Sequence, residues 1–170
     1  MDARFKIRSA ERSDAPVILS FIRQLAEYER LSDQVSATSD LILKNFFGPD
    51  AVAEVLLGLL DDTPVAFAVF FHNFSTFKCK KGLYLEDLFV LPEMRGRGFG
   101  KAMLQHLAGI AIQRDCARFE WAVLDWNEPA IGFYKSLGAV ALDDWTTFRV
   151  TGDALKKLAE IDSNRNSFGS

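Results

Sequence analysis

A single carboxylate in the middle of an apolar strand is the first residue of this chain whose position indicates chemistry. Glu86 lies within residues 83–91, where an uncompensated charge is costly. A carboxylate can attract an ammonium group and remove its proton, directly or through a water, whereas the alternative is a solvent-facing side chain at a sheet edge. Strand alternation predicts two faces, one with Tyr84, Glu86, Leu88 and Val90 and the other with Leu85, Asp87 and Phe89.

A glycine-rich turn follows this strand and leads into a helix. Its residues are Arg95, Gly96, Arg97, Gly98, Phe99, Gly100 and Lys101. Backbone N–H groups and the positive end of a helix converge at such a turn, which favours phosphate binding. The dinucleotide fingerprint fails because Lys101 occupies its third glycine position, and the P-loop fails because Ala102 follows Gly100-Lys101. The pattern R-x-x-G-x-G at a helix start remains.

The periodicity of the whole chain predicts the elements that must position these residues. Apolar spacing predicts helices at 15–31, 39–47, 101–114, 129–137 and 153–161. It predicts strands at 5–8, 52–60, 65–71, 83–91 and 117–124, with a final hairpin at 139–142 and 146–150. We expect one α/β domain over residues 1–162 with a mixed sheet, followed by a frayed polar tail at 163–170.

Composition and charge narrow the class of protein. The 170 residues include 23 acidic and 20 basic side chains, a formal net charge of −3, with 49% hydrophobic and 25% charged residues. These values are typical of a globular domain and argue against a nucleic-acid partner, which requires a basic excess. We find neither a secretory signal nor a bilayer-spanning stretch, so we expect a cytoplasmic protein without a membrane partner.

The cysteines and histidines predict no metal centre. Cys79 and Cys116 lack metal-ligand spacing, and His72 and His106 have no carboxylate or cysteine partners at such spacing. We therefore expect no metal cofactor, and a cysteine nucleophile is disfavoured because Cys116 has no histidine nearby in sequence.

Two segments together resemble a known superfamily. R-x-x-G-x-G, as Arg95–Gly100 after a strand, resembles the pyrophosphate-binding segment of the GNAT superfamily of N-acetyltransferases. The segment from Trp126 to Ala139 resembles the second element of that superfamily, an asparagine before a helix whose tyrosine faces the thioester. The resemblance implies a GNAT fold, a mixed and mostly antiparallel twisted sheet flanked by helices, splayed between the strands Leu83–Leu91 and Ala117–Leu124. It also implies acetyl-CoA as acetyl donor.

Further segments are similar to the diamine (spermidine/spermine) N-acetyltransferases, a branch that includes enzymes acting on thialysine. They are Leu25–Glu29, Leu83–Asp87, Trp126–Pro129 and Phe133-Tyr134. The resemblance implies a small cationic amine as acceptor and a homodimer, because members of this branch share their substrate site with a partner subunit.

The resemblance also assigns roles to individual residues. Glu86 is implied as the base and Tyr134 as the proton donor to the departing sulfur. The acetyl-CoA contacts are implied at Leu88, Phe89, Val90, Arg95, Gly96, Arg97, Gly98, Phe99, Gly100, Lys101, Asn127, Pro129, Ala130 and Tyr134. The acceptor contacts are implied at Tyr28, Glu29, Glu86, Glu120, Trp121 and Ala122. Asp87, Asp125, Asp143 and Asp144 are further carboxylates that could line the mouth of the site.

Each of these residues also has a structural alternative. Tyr134 could be a core aromatic beside Phe133, Asn127 could cap the following helix, and Glu29 could lie on a solvated helix surface. Three functions therefore stay open. The chain could transfer acetyl to a small diamine or polyamine by direct attack in a ternary complex. It could acetylate an amino-acid amine (thialysine, lysine) or a protein amine. It could also bind acetyl-CoA without catalysis, which the presence of Glu86 and Tyr134 argues against.

Overall fold

Five strands form one sheet whose spatial order follows the chain. The computed structural model describes residues 4–160. Its strands are β1 (Phe5–Ser9), β2 (Glu54–Leu60), β3 (Thr63–Ser75), β4 (Lys80–Val90) and β5 (Phe119–Trp121). The pairings β1–β2, β2–β3 and β3–β4 are antiparallel, and β4–β5 is parallel. The predicted α/β class with a mixed, mostly antiparallel sheet is confirmed.

The described part of the chain also contains five α-helices. They are α1 (Ala15–Tyr28), α2 (Ser39–Phe47), α3 (Phe99–Gln113), α4 (Glu128–Ser136) and α5 (Gly152–Glu160). Single 3₁₀ turns lie at Arg12–Asp14, Ser32–Gln34 and Pro92–Met94. Short turns join the antiparallel strands β2, β3 and β4, whereas the parallel neighbours β4 and β5 need a longer crossover, which α3 supplies.

Apolar side chains from the helices cover both faces of the sheet. On one face, α1 and α2 pack against β2, β3 and β4, with Ile18 fully buried and the Phe21 ring 5.1 Å from the ring of Phe67. On the other face, α3 packs against β1, β3 and β4, and the buried Phe99 ring stacks 4.2 Å from the ring of Phe5. β4 therefore lies between a helical layer on each face of the sheet.

All five strands differ from their predicted bounds, and the largest differences are in the β3–β4 hairpin and in β5. β3 extends to Ser75 and β4 begins at Lys80, so both strands of this hairpin are longer than predicted at the end near the turn. Their pairing includes the polar residues His72 and Asn73. β5 has three residues instead of the eight predicted for 117–124. The apolar pattern of that segment could not reveal where pairing with β4 stops.

The chain divides into two compact units, Met1–Ala122 and Val123–Ser170. The first unit contains the sheet and α1 to α3, and the second contains α4 and α5. The predicted hairpin at 139–142 and 146–150 is wrong, because neither segment forms a strand. Two short strands alone are marginally stable without further packing partners. The single domain over 1–162 stays a prediction, and both Ile161, the predicted end of the last helix, and the tail 163–170 lie outside the described residues.

Candidate active site

A β-bulge places Glu86 outside the regular pairing of β3 and β4. Asp87 lies opposite Val69, and Leu85 lies opposite the next residue of β3, Phe70. One residue of β4, Glu86, is therefore left without a partner on β3. Bulges of this kind redirect side chains and are frequent beside active sites. The carboxylate of Glu86 is exposed at this point of the strand.

The bulge makes the alternation predicted for β4 wrong. Tyr84 lies opposite Phe71 and Leu88 lies opposite Ala68, which are three residues apart on β3 and so on opposite faces. Tyr84 and Leu88 consequently point to different faces, although they are four residues apart on β4. The extra residue at Glu86 reverses which face each following side chain occupies, and the sequence alone does not predict this bulge.

β4 has a free edge beyond the bulge. It pairs with β5 over Leu83–Leu85 only, against Phe119–Trp121, so the predicted splay between these strands is confirmed. The N–H of Leu91 donates to the carbonyl of Val65 at 3.0 Å, which fixes the phase of the β3–β4 ladder. Because antiparallel pairs alternate in their bonding, the backbone groups of Leu88 and Val90 point away from β3, toward the free edge. The backbone of Phe89 is directed to β3.

Two carboxylates act on a third one beside this edge. Burial raises the pKa of Asp87 to about 6, and the negative charges of Glu86 and Glu29 add to that effect. Burial also raises the pKa of Glu29, which lies at the end of α1. The charge of Glu86 contributes, after burial, to raising the pKa of Tyr84. The region therefore favours a bound proton or an organic cation.

The glycine-rich turn has the backbone conformation that only glycine adopts readily. Gly96 and Gly98 have φ values of 73° and 83°, and Gly98 is the residue before α3. A Cβ atom at either position would meet no atom within 4 Å, so space for a ligand remains above the turn. Positive φ therefore requires glycine here. Phe99 is different, because its ring is part of the core and only its backbone can face a ligand.

The basic residues of the turn differ in their contacts. The guanidinium of Arg95 lies 4.3 Å from the ring centre of Tyr28, and its Nε donates to the carbonyl of Val90 at 3.1 Å. The guanidinium of Arg97 lies 5.0 Å from the ring centre of Phe99. Lys101 is exposed on the first turn of α3. The turn thus carries three cationic side chains beside the start of a helix.

Two of the predicted acceptor residues, Glu120 and Trp121, lie on β5, where this strand pairs with β4. Glu120 accepts a hydrogen bond from Asn73 Nδ2 at 2.9 Å and forms an ion pair with Arg118 Nε at 2.8 Å. Trp121 is half-buried, with its ring 5.0 Å from that of Phe119. Ala122 follows the last residue of β5. The charge of Glu120 is therefore already balanced by a protein cation.

The second unit contains the predicted residues of α4. The N–H of Ala130 donates to Asn127 Oδ1 at 3.4 Å, so Asn127 caps α4, with Pro129 in the first turn. The ring of Tyr134 lies 5.5 Å from that of Phe133. The structural alternative for Asn127 is thus observed, and it does not exclude a second role. Asp125, Asp143 and Asp144 also belong to this unit.

Comparison with known proteins identifies the family. The profile of the acetyltransferase (GNAT) family matches residues 19–139. The chain belongs to the GNAT family. Thialysine N-epsilon-acetyltransferase of Sus scrofa is 37% identical over 164 residues, covering 90% of this chain and 96% of the relative. Spermidine/spermine N(1)-acetyltransferase-like protein 1 of Homo sapiens is 33% identical over 91% of this chain and 24% of its own length. The solved structure of the integron cassette protein VCH_CASS6 of V. cholerae has a TM-score of 0.78 and 29% identity, covering 92% and 98% of the chains.

The described residues fit acetyl-CoA, the donor that GNAT enzymes use. The free edge of β4 offers the backbone groups of Leu88 and the N–H of Val90, which an extended arm such as pantetheine can pair with as an added strand does. The carbonyl of Val90 already accepts a hydrogen bond from Arg95 Nε. The turn Arg95–Lys101 offers N–H groups and cations to phosphate at the start of α3. This GNAT chain is therefore an acetyl-CoA-dependent N-acetyltransferase, while the role of each residue stays a prediction.

The sequence did not indicate the importance of Asp87 for the electrostatics of this GNAT site. It was one carboxylate among several, with no spacing that distinguished it. Its pKa of about 6 arises from its position on the face covered by α1, next to Glu29, and that position depends on the bulge. The sequence feature that could have indicated this role is the presence of a second acidic residue directly after Glu86 in an apolar strand.

Neither a metal cluster nor a membrane-spanning helix is found within residues 4–160. No group of three or more His, Cys, Asp or Glu side chains there is arranged to hold a metal ion. No helix in the same range is long and apolar enough to cross a bilayer.

Proposed function

We propose that this GNAT enzyme transfers acetyl from acetyl-CoA to a primary amine of a small diamine or polyamine, by direct attack in a ternary complex. The observation that carries the proposal is the group of carboxylates Glu29, Glu86 and Asp87 beside the free edge of β4, where the charges of Glu29 and Glu86 help to raise the pKa of Asp87. A diamine is a dication at neutral pH, and such a group attracts it. The name of the spermidine/spermine relative supports the same acceptor class.

Proton removal from the acceptor is the step that the carboxylates serve. A primary alkylamine has a pKa of about 10, so at pH 7 it arrives as an unreactive ammonium. Glu86, redirected by the bulge and exposed, takes this proton directly or through a water. Asp87 and Glu29 hold the cation near Glu86 by their charge. The bound thioester supplies the acetyl group, and Tyr134 donates a proton or hydrogen bond at the departing sulfur.

The remaining predicted contacts divide between donor and acceptor. The proposed donor contacts are Leu88, Val90, the turn Arg95–Lys101, Asn127, Pro129 and Ala130. Phe89, also predicted as a donor contact, has a buried ring and a backbone directed to β3, so we expect it to support this edge from the core. The acceptor contacts are Tyr28, Glu29, Glu86, Glu120, Trp121 and Ala122. Since Arg118 balances the charge of Glu120, we expect Glu29 and Asp87 to attract the cation more strongly than Glu120 does.

Three features of the proposal concern the whole protein. We propose a homodimer, a cytoplasmic location and a single acetyltransferase domain over residues 1–162. Light scattering at working concentration tests the first of these. A dimer mass is expected, and a monomer mass would contradict it.

A second acceptor class is favoured by the names of two relatives. Thialysine N-epsilon-acetyltransferase and L-ornithine N5-acetyltransferase NATA1 of Arabidopsis thaliana, 29% identical over 92% of this chain, are named for amino-acid acceptors. Such an acceptor carries a carboxylate, which the negative charges of Glu29 and Asp87 would repel unless a cation compensates it. The small diamine therefore remains our first candidate.

Release of free CoA with a panel of amines tests the proposal. The panel contains spermidine, putrescine, 1,3-diaminopropane, thialysine, lysine and a histone-tail peptide. We expect the highest kcat/KM with one of the diamines or polyamines. Turnover of thialysine or lysine with none of the diamines would support the second class, and turnover of the peptide alone would overturn both.

Glu86→Gln tests the base within this proposal. Loss of a general base typically lowers a rate by about 100-fold or more, and the loss is greatest at low pH, where the ammonium is hardest to deprotonate. The matched control is Glu27→Gln, which removes an exposed carboxylate on α1. A pH–rate profile of Glu86→Gln parallel to that of the wild type would remove Glu86 as the base.

A further inference from the structure

The side chain of Arg95, in the glycine-rich turn, contacts residues of both α1 and β4. Its guanidinium lies 4.3 Å from the ring centre of Tyr28 on α1 and 5.4 Å from that of Phe89 on β4. The two rings are 6.5 Å apart and tilted by 59°, so they form an angled shelf under the cation. The Nε of Arg95 donates to the carbonyl of Val90 at 3.1 Å. The side chain is therefore fixed at its inner edge and on its face.

The outer edge of the same guanidinium donates to no protein acceptor in the part of the chain that the structure describes. Among residues 4–160, the Nε–Val90 bond is the hydrogen bond that the Arg95 side chain makes, so its terminal Nη1 and Nη2 groups donate to no protein group there. A guanidinium has five N–H donors in a rigid fork that matches phosphate oxygens. A fork anchored at one edge and stacked on its face loses less freedom when it binds an anion, which increases affinity.

We propose that Tyr28 is a positioning residue for the acetyl donor: its ring holds the Arg95 guanidinium in place for the diphosphate of CoA. This differs from the acceptor contact that the family resemblance implies for Tyr28, and it rests on the proposed binding of CoA at the turn Arg95–Lys101. Tyr28 is 41% exposed and precedes Glu29, so the same helix end serves the acceptor.

The affinity for CoA, measured by isothermal titration calorimetry without any amine, tests this role. A cation–π contact at an exposed site corresponds to about a two- to fivefold change in a binding constant. We expect Tyr28→Leu to raise the Kd for CoA by that factor, and Tyr28→Phe, which keeps the ring, to leave it unchanged. The control is Phe77→Leu, since Phe77 is a 98% exposed aromatic outside the site. A wild-type Kd in Tyr28→Leu would overturn the proposal.

A double-mutant cycle separates this role from a merely structural one. In an Arg95→Gln background, Tyr28→Leu is expected to have no further effect on the Kd for CoA. Arg95→Lys keeps the charge but cannot stack as a plane, so it is expected to lose affinity about as much as Tyr28→Leu does, and it tests the contact even where Tyr28→Leu folds poorly. Equal effects of Tyr28→Leu in both backgrounds would overturn the positioning role. A wild-type protein that does not bind CoA would overturn the proposed function itself.

Discussion

Asp87→Asn gives the sharpest test of the electrostatics of this site. The asparagine keeps the shape of the side chain and removes its charge. Burial, together with the charges of Glu86 and Glu29, raises the pKa of Asp87 from the ordinary 3.8 to about 6. The folded protein therefore binds a proton at Asp87 that the unfolded chain has already released. Stability falls as the pH rises through this interval, because the folded state binds more protons than the unfolded state.

The size of the effect follows from the two pKa values. They differ by about 2, and each pKa unit corresponds to about 1.4 kcal/mol, so the ionised carboxylate of Asp87 lowers the free energy of unfolding by about 3 kcal/mol. The loss begins near pH 4 and is complete above about pH 7. Asp87→Asn avoids it, and we expect the variant to match the wild type at pH 4 and to exceed it by up to about 3 kcal/mol at pH 7.

Urea unfolding at a series of pH values between 4 and 8 measures this difference. The control is Asp115→Asn, which removes an exposed carboxylate paired with Lys80 on the surface and is expected to retain the wild-type profile. Because the charge of Glu86 contributes to the raised pKa of Asp87, Glu86→Gln should move the wild-type transition to lower pH. A difference between Asp87→Asn and wild type that does not vary from pH 4 to 7, or a variant less stable at pH 7, would refute the reasoning.

Two further substitutions test other parts of the molecule. Tyr134→Phe should lower kcat moderately, about tenfold, with KM for the amine unchanged, because a thiol with a pKa of about 8.5 leaves with little help; an unchanged kcat in steady-state assays would exclude the proton donor. Gly58→Ala should lower the free energy of unfolding by about 1–3 kcal/mol, since its Cβ would lie 2.6 Å from Phe5 Cζ and 3.1 Å from Ala66 Cβ. Gly109→Ala on α3, where a Cβ meets nothing within 4 Å, is the control in urea unfolding and should gain about 0.5–1 kcal/mol.

The sequence predicted the order of helices and strands well where apolar periodicity was strong. The predicted helix at 39–47 has the same bounds as α2, and the strand–turn–helix around Arg95 was recognised because glycine and proline mark it. Periodicity failed where a strand depends on its partner. β5 ends at Trp121 because β4 diverges there, and no residue in 117–124 carries that information.

The candidate site was predictable in its residue types and less so in its contacts. The strand pattern and the family resemblance identified Glu86 as a candidate. They could not predict the bulge that redirects its side chain, because one extra residue leaves the composition and apolar content of a strand unchanged. The prediction for Glu120 rested on its apolar neighbours and could not include its ion pair with Arg118. Long-range contacts of this kind, such as the one between Arg95 and Tyr28, become visible only in the folded chain.

The bulge at Glu86 also constrains how this gene can change by insertion and deletion. Leu83 and Leu85 are buried on the side of α3, and Phe89 is buried on the side of α1, with an extra residue between them that makes both burials possible. Deleting any one residue from 84 to 88 would restore regular pairing and exchange the two faces of one half of the strand. The burial of side chains on both faces thus fixes the number of residues in this segment. Substituting Glu86 is expected to destabilise the fold far less than deleting it.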